Sequence, residues 1–252
     1  MKLKGWVIAV MATLLLVGPA LVSADTMIKQ VNERGAFEMM GQKVPAGSDT
    51  STVWLGKDRA RTDNGDTATV IMRMDKNAVY MIDHKHKAYT EIALEDLGDF
   101  DKMMGDNEEA KKMMQGMMAM MKMTVTVTPT EETQKIDKWN CKKYDVKVAM
   151  GMGSSDMVIW ATDEVKLDYD MFMNLTNSFK AIMPGYDQMI EEMKKIKGLP
   201  IKTLNTTKMM GAEATSVMQV IDIKEMDPPA GIYELPEGYQ KSDIAMPGMG
   251  GK

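Results

Sequence analysis

Alternating apolar and polar residues over positions 50–92 constrain this chain more than any other feature of its sequence. Three short polar turns interrupt the alternation, at 56–58, 63–66 and 75–77. A period of two is typical of strands with one covered face. The second turn contains Asn64-Gly65, and this pair supplies the positive φ angles of tight hairpins. The pattern therefore predicts a meander of three or four antiparallel strands.

Strand patterns return later in the chain, separated by two stretches with helical spacing. The predicted strands span 124–128, 142–150, 156–161, 199–208 and 213–224. The predicted helical stretches span 94–123 and 169–197, the second interrupted by Pro184-Gly185 and ended by Gly198. This order predicts an α+β fold, in which a curved antiparallel sheet carries helices against one face.

The first 24 residues have the three parts of a signal peptide. Lys2 and Lys4 precede an apolar run over 6–17, and the small residues of Val22-Ser23-Ala24 form a cleavage site. An uncleaved membrane anchor is the alternative, but it needs about 20 apolar residues. We therefore predict an exported protein: a signal peptide at 1–24, a single domain at 25–241, and a flexible glycine-rich tail at 242–252.

The charge of the chain argues against nucleic-acid binding, and its cysteine content excludes a disulfide within the chain. Loss of Lys2 and Lys4 takes the formal net charge from −5 to −7, and an acidic chain is a poor partner for nucleic acid. Cys141 is the single cysteine, so no disulfide can form within the chain. We predict that it is a small buried hydrophobic residue beside Trp139; an intermolecular disulfide is the alternative.

The first helical stretch is rich in methionine, within a chain that contains 31 methionines. Its methionines fall on one side of a helical wheel, opposite charged residues. Three interpretations remain open: plain core, a surface that repacks around apolar ligands, or a thioether site for Cu(I), to which His84 and His86 could add ligands. The candidate ligand-binding residues are Met113, Met114, Met117, Met118 and Met121.

No catalytic arrangement is recognisable in the sequence. His84 and His86 stand in a short polar segment, which predicts a turn between strands. No nucleophile elbow or glycine-rich phosphate loop accompanies them. We therefore expect a protein that is not an enzyme and that carries no cofactor.

Six short motifs, in the same order over most of the chain, resemble the DUF4412 family of periplasmic proteins. The motif residues are Lys57-Asp58-Arg59-Ala60-Arg61, Tyr80-Met81-Ile82-Asp83 with Lys87-Ala88-Tyr89, Cys141-Lys142-Lys143-Tyr144, Trp160-Ala161-Thr162, Gly198-Leu199-Pro200 and Leu235-Pro236-Glu237-Gly238-Tyr239. The resemblance implies the half-barrel sheet of the outer-membrane lipoprotein carrier and receptor proteins. In that fold, helices plug the concave face of the sheet and the cavity can take an acyl chain.

Together these observations predict a periplasmic, non-enzymatic protein that binds a hydrophobic small molecule or lipid, or acts as an envelope accessory. The methionines of the first helix would line the mouth of the cavity. Soft-metal binding through the same helix is the alternative. We expect no nucleic-acid partner and no transmembrane span in the mature chain.

Overall fold

One large sheet dominates the computed structural model, which describes residues 25–39, 41–96, 123–151, 153–165, 186–209 and 211–242. Its elements are β1 (Asp25–Arg34), β2 (Phe37–Met39), β3 (Gln42–Val44), β4 (Gly47–Leu55), β5 (Arg59–Asn64), β6 (Ala68–Arg73), β7 (Ala78–Asp83), β8 (Ala88–Ala93), β9 (Met123–Ile136), β10 (Trp139–Met150), β11 (Gly153–Thr162), α1 (Tyr186–Met193), β12 (Leu199–Met209), β13 (Ala212–Met226) and β14 (Gln240–Lys241). Two 3₁₀ turns, Met74–Lys76 and Leu94–Asp96, complete the set.

Twelve strands form the sheet in the order β14-β8-β7-β6-β5-β4-β1-β13-β12-β11-β10-β9, and β2 pairs with β3 in a separate hairpin. All pairs in the large sheet are antiparallel except β14 with β8, which is parallel. The predicted antiparallel meander forms as β4–β8, with five strands where three or four were predicted, and the later predicted strands join the same sheet. Strand β1 was not predicted; it joins the two halves of the sheet by pairing with β4 and β13.

The turns of the meander form where polar residues allow unusual backbone angles. Gly65 (φ 53°) lies in the β5–β6 turn, and Asn77 (φ 52°) follows the turn between β6 and β7. Gly198 has a φ of 90° where the chain leaves the helical region for β12, and a Cβ atom there would collide with the carbonyl oxygen of Thr162. The predicted stop at Gly198 is therefore confirmed, and only glycine fits it.

The predicted α+β fold, with helices plugging a concave face, is wrong. The described residues form a large open mixed sheet, with α1 as their single α-helix. One physical reason is that β9 and β10 extend through 129–141, which the sequence pattern treats as a polar link. Much of this stretch of β9 is exposed, so polar residues occupy successive positions and the alternation that marks a half-buried strand is lost.

Most of the two predicted helices lies outside the described residues. Of 94–123, the structure describes only the 3₁₀ turn Leu94–Asp96 and Met123, which begins β9. Of 169–197, it describes α1 and the turn after it, and α1 begins directly after Pro184-Gly185. No helix in the described ranges is long and apolar enough to cross a membrane.

The two halves of the sheet are covered on opposite faces. Residues 227–241, which we call the C-terminal clasp, cover the face of β4–β8 that carries Trp54 and Ile71. The pairing register continues this clasp face to Trp160 on β11. The opposite face of β9–β11 carries Val146 and is covered by α1; we call it the helix face.

Candidate functional site

An apolar surface occupies the helix face of β9, β10 and β11. Val125 pairs with Val148, and Val127 pairs with Val146. Ile159 on β11 lies in the next row, opposite Tyr144. All belong to one buried cluster. β-branched residues at every second position produce this surface, because alternate side chains of a strand point to the same face.

Helix α1 lies over this surface and contributes the buried side chains of Met189 and Ile190. The Glu192 carboxylate accepts a hydrogen bond of 2.8 Å from the backbone N–H of Val127 and pairs with Lys195 at 2.6 Å. Lys195 and then this N–H hold the pKa of Glu192 below its usual value. Since β9 is the last strand of the sheet, the carboxylate satisfies a donor on its outer edge.

Three partly buried methionines, Met123, Met157 and Met193, pack around the same cluster. They come from β9, β11 and α1, so thioethers surround the valines and Ile159 from three elements. We call the cluster and these three residues the methionine-rimmed surface. A methionine side chain has three rotatable bonds and a polarizable sulfur, so such a surface can adapt to apolar partners of different shape.

The five candidate residues Met113, Met114, Met117, Met118 and Met121 lie outside the described residues. In sequence, Met121 is two residues before Met123, which belongs to the methionine-rimmed surface. Sequence reasoning missed Met157, since an isolated methionine in a strand gives no periodic signal.

A polar strip borders this surface on β11 and β12. On the helix face, Thr203 pairs with Ile159, Asn205 with Met157, and Thr207 with Ser155. The Ser155 hydroxyl donates to Asn205 Oδ1 at 2.5 Å, and Asn205 Nδ2 donates to Thr207 Oγ1 at 3.2 Å.

The Thr203 hydroxyl is the exception in this strip. Its oxygen is buried and has no hydrogen-bond partner among the described residues. An unsatisfied buried hydroxyl costs about 1–3 kcal/mol.

The clasp face, by contrast, is organised by arginines. Arg73 donates to Asp75 at 2.7 and 2.8 Å, to Glu234 at 2.6 Å and to the Tyr233 carbonyl at 3.2 Å. The hydrogen bond with Asp75 is the main reason that the pKa of Arg73 is raised, and it lowers that of Asp75. Arg61 donates to the Ile232 carbonyl at 2.6 Å. The guanidinium groups therefore fix the clasp segment by its backbone.

Tyr233 fastens the clasp to the first described strand. Its hydroxyl donates to Asp25 Oδ2 at 2.8 Å, and the Arg59 guanidinium lies 4.7 Å from its ring centre. Burial is the main cause of a raised pKa for Tyr233. Tyr80 and Tyr89 belong to one sequence motif, Leu235 and Tyr239 belong to another, and all four lie in the cluster on the clasp face. The clasp therefore brings together two motifs that are far apart in sequence.

His84 is part of this anchoring network. Its Nδ1 lies 2.8 Å from the Tyr239 hydroxyl and its Nε2 lies 2.8 Å from Thr69 Oγ1. Thr69 donates its single hydroxyl proton to Asp63 at 2.6 Å, so His84 Nε2 must be the donor to Thr69. Because His84 Nε2 donates to Thr69, it cannot accept the hydroxyl proton of Thr69 as a general base would. The hydrogen bonds of His84 instead fix the clasp.

Two further predictions concern the histidines and the cysteine. The turn at His84 and His86 is confirmed, although His84 is anchored on both ring nitrogens and only His86 is exposed. Cys141 is buried beside Trp139, as predicted, and burial raises the pKa of its thiol to about 11. Within the described ranges, no three His, Cys, Asp or Glu residues lie close enough to hold one metal ion.

Comparison with known proteins identifies a family and solved structures similar to this chain. The family model described as "Domain of unknown function (DUF4412)" matches residues 34–239. No curated protein sequence matches the chain. The crystal structure of a DUF1329 family protein from Desulfovibrio piger is similar at 10% sequence identity, covering 84% of this chain and 90% of that one, with a TM-score of 0.30. A TM-score of this size supports no argument about fold or function.

Proposed function

We propose, from the premise that the chain belongs to the DUF4412 family, that it is an exported, non-enzymatic envelope accessory that binds an apolar ligand such as an acyl chain. The methionine-rimmed surface is the observation that carries this proposal. It combines a continuous apolar floor on three strands with adaptable side chains at its border.

The cover of this surface supports ligand entry. Helix α1 has eight residues, and a helix of that length is marginal without tertiary contacts. Its contacts with the sheet are mainly apolar, and apolar contacts have no fixed direction. An alkyl chain could therefore replace some of them without leaving buried hydrogen-bonding groups unsatisfied.

A dependence on ligand length is the first test of apolar binding. Each buried methylene group contributes about 0.8 kcal/mol, so shortening a saturated fatty acid by two carbons should weaken binding by roughly tenfold. Isothermal titration with fatty acids of 10, 12, 14 and 16 carbons measures this dependence. Affinity that does not change with chain length would contradict the proposal.

Substitution of Met157 tests the location. Met157→Gln should reduce uptake of a fluorescent fatty acid at least tenfold, because it places an amide in an apolar surface. Met157→Leu should keep affinity within about threefold, since size and apolarity are retained. Leu204→Gln is the matched control, because Leu204 is 39% exposed on the opposite face of the neighbouring strand. Equal losses in Met157→Gln and Leu204→Gln would place binding elsewhere.

Soft-metal binding is the second candidate, favoured by four thioethers, from Met123, Met157, Met189 and Met193, on one cluster. Thioethers select Cu(I), and leucine has no donor atom. If Cu(I) binds here, Met157→Leu should weaken its binding, because one of four thioethers is lost. The pair Met117→Leu with Met121→Leu tests the preceding segment likewise. Competition against a Cu(I) chelator measures both. Apolar binding predicts that these leucine variants still take up the fluorescent fatty acid.

Export has its own test. The apolar run before Val22-Ser23-Ala24 supports cleavage after Ala24. Intact-mass measurement of the protein from the periplasmic fraction should then correspond to residues 25–252. Recovery of a chain that retains the apolar run, in the membrane fraction, would contradict a soluble exported form.

A further inference from the structure

The polar strip on β12 shares the helix face with the methionine-rimmed surface. Thr203 and Asn205 stand directly beside Ile159 and Met157 through the strand register. Ser155, beside Thr207, is 8% exposed. Hydroxyl and amide groups are therefore built into the border of an apolar surface, which is the arrangement that fixes the orientation of a ligand with one polar end.

Hydrogen-bonding capacity remains in this strip. Ser155, Asn205 and Thr207 bond to one another. Thr203 Oγ1 is buried and unpartnered among the described residues. A hydroxyl can both donate and accept, so Thr203 can bond to a polar group placed beside Ile159. Buried polar atoms in proteins nearly always have a partner, and a bound ligand would supply one here.

The strip is uncharged, and this limits the chemistry of the polar group. Among the described strands of this face, the nearest cationic side chains are Arg34 on β1 and Lys142 on β10, each two strands from β12. Lys142 pairs with Glu131, and Lys195, in the turn after α1, pairs with Glu192. A carboxylate or phosphate beside Thr203 would therefore be desolvated without a cation on β12 or on either neighbouring strand of this face. A hydroxyl or amide head has no such cost.

We infer that the ligand is an uncharged amphiphile, whose alkyl chain lies on the methionine-rimmed surface and whose hydroxyl- or amide-bearing head bonds to Thr203 and Asn205. This inference rests on the proposed function and adds the class of ligand to it. It makes Thr203 and Asn205 specificity-determining residues for the polar head.

Two probes of equal chain length test the class of ligand. Isothermal titration at pH 7.5 compares 1-monomyristoylglycerol with myristate on the wild-type chain without its signal peptide. The monoacylglycerol is expected to bind at least tenfold more tightly. Equal or tighter binding of myristate would overturn the inference and leave apolar binding intact, whereas binding of neither probe would overturn both.

Thr203→Val tests the position of the head, because valine has nearly the shape of threonine without the hydroxyl. The affinity for monomyristoylglycerol should fall at least fivefold, and that for myristate should stay within twofold. Thr206→Val is the matched control, since Thr206 lies on the same strand and points to the clasp face. Asn205→Ala should show the same selective loss. If Thr203→Val and Thr206→Val bind monomyristoylglycerol equally, the head does not bond to Thr203 and the inference fails.

Discussion

The two halves of the sheet are covered in different ways. The C-terminal clasp is fixed on β4–β8 by directional bonds from Arg61, Arg73, Tyr233 and His84. Helix α1 is placed on β9–β11 mainly by apolar side chains, with Glu192 as its bond to the edge strand. The same sheet therefore carries one cover of fixed geometry and one that can shift.

This difference suggests a division of roles. Directional bonds to charged groups are lost when the clasp moves, and their buried partners are then left unsatisfied. Apolar contacts can be exchanged for others of similar area. We therefore expect α1 to open at lower free energy than the clasp, which leaves the methionine-rimmed surface as the adaptable part of the molecule.

Removal of the Arg73 side-chain charge should have the largest effect on the stability of the protein. Arg73→Met should lower the free energy of unfolding by about 3–4 kcal/mol, because Asp75 and the Tyr233 carbonyl lose the guanidinium and Glu234 keeps only its exposed pair with Lys76. Urea denaturation measures the loss. Arg73→Lys is the control, and it should retain part of the stability. A loss below about 1 kcal/mol would mean that the clasp is not held by this network.

Truncation of an apolar side chain of α1 should have the second-largest effect on stability. Ile190→Ala should cost about 3 kcal/mol, since Ile190 is 6% exposed and belongs to the cluster beneath the helix. The cost should not change between 0.05 and 0.5 M NaCl, because no charge is involved. If the loss of unfolding free energy in Ile190→Ala, measured by urea denaturation, depends strongly on salt, α1 is not held mainly by apolar contacts and does not differ from the clasp in this respect.

Tyr233→Phe isolates one bond of the clasp. It removes the hydroxyl that donates to Asp25 and keeps the buried ring under Arg59. We expect a loss of about 1.5 kcal/mol, the usual value for a hydrogen bond to a charged group. The same substitution at Tyr80, which is also in the clasp-face cluster, serves as a comparison. A neutral effect at Tyr233 would show that packing alone holds the segment.

Acid should loosen the clasp, with the smallest of these effects. The pKa of Asp75 is lowered from 3.8 by Arg73, and that of Glu234 is lowered from 4.5 by Arg73 and Lys76. Stability from a depressed carboxyl pKa is present above the ordinary value and is lost as the pH falls through the folded-state value. Unfolding measured between pH 6 and 3 should therefore lose less stability in Glu234→Gln than in Glu213→Gln, whose exposed partner is Lys208. Equal profiles would refute this role of Glu234.

The sequence predicted the strands better than their covers. Period-two patterns and Asn64-Gly65 located the meander because one face of each strand is buried. The exposed half of β9 has no such pattern, so this strand was predicted too short. Strand β1 has few apolar residues at its end, and it was not predicted. The fold class failed for the same reason, because much of 129–141, interpreted as a polar link, belongs to the strands β9 and β10.

The clasp could not be predicted from local patterns at all. Arg73 and Glu234 are 161 positions apart in sequence, and no periodicity relates them. The motif with Tyr80 and Tyr89 and the motif with Leu235 and Tyr239 were visible in the sequence, yet their contact depends on the order of the strands. The turn at His84 was predicted, but the hydrogen bond between His84 and Tyr239 was not, because the two residues are 155 positions apart in sequence.

Hydrogen–deuterium exchange with and without a bound fatty acid tests the account most directly. If an acyl chain binds on the methionine-rimmed surface, saturating myristate or monomyristoylglycerol should slow amide exchange in β9, β11 and α1, and leave β5–β7 and the clasp unchanged. Protection confined to the clasp and β5–β7, or no change anywhere at saturation, would contradict it.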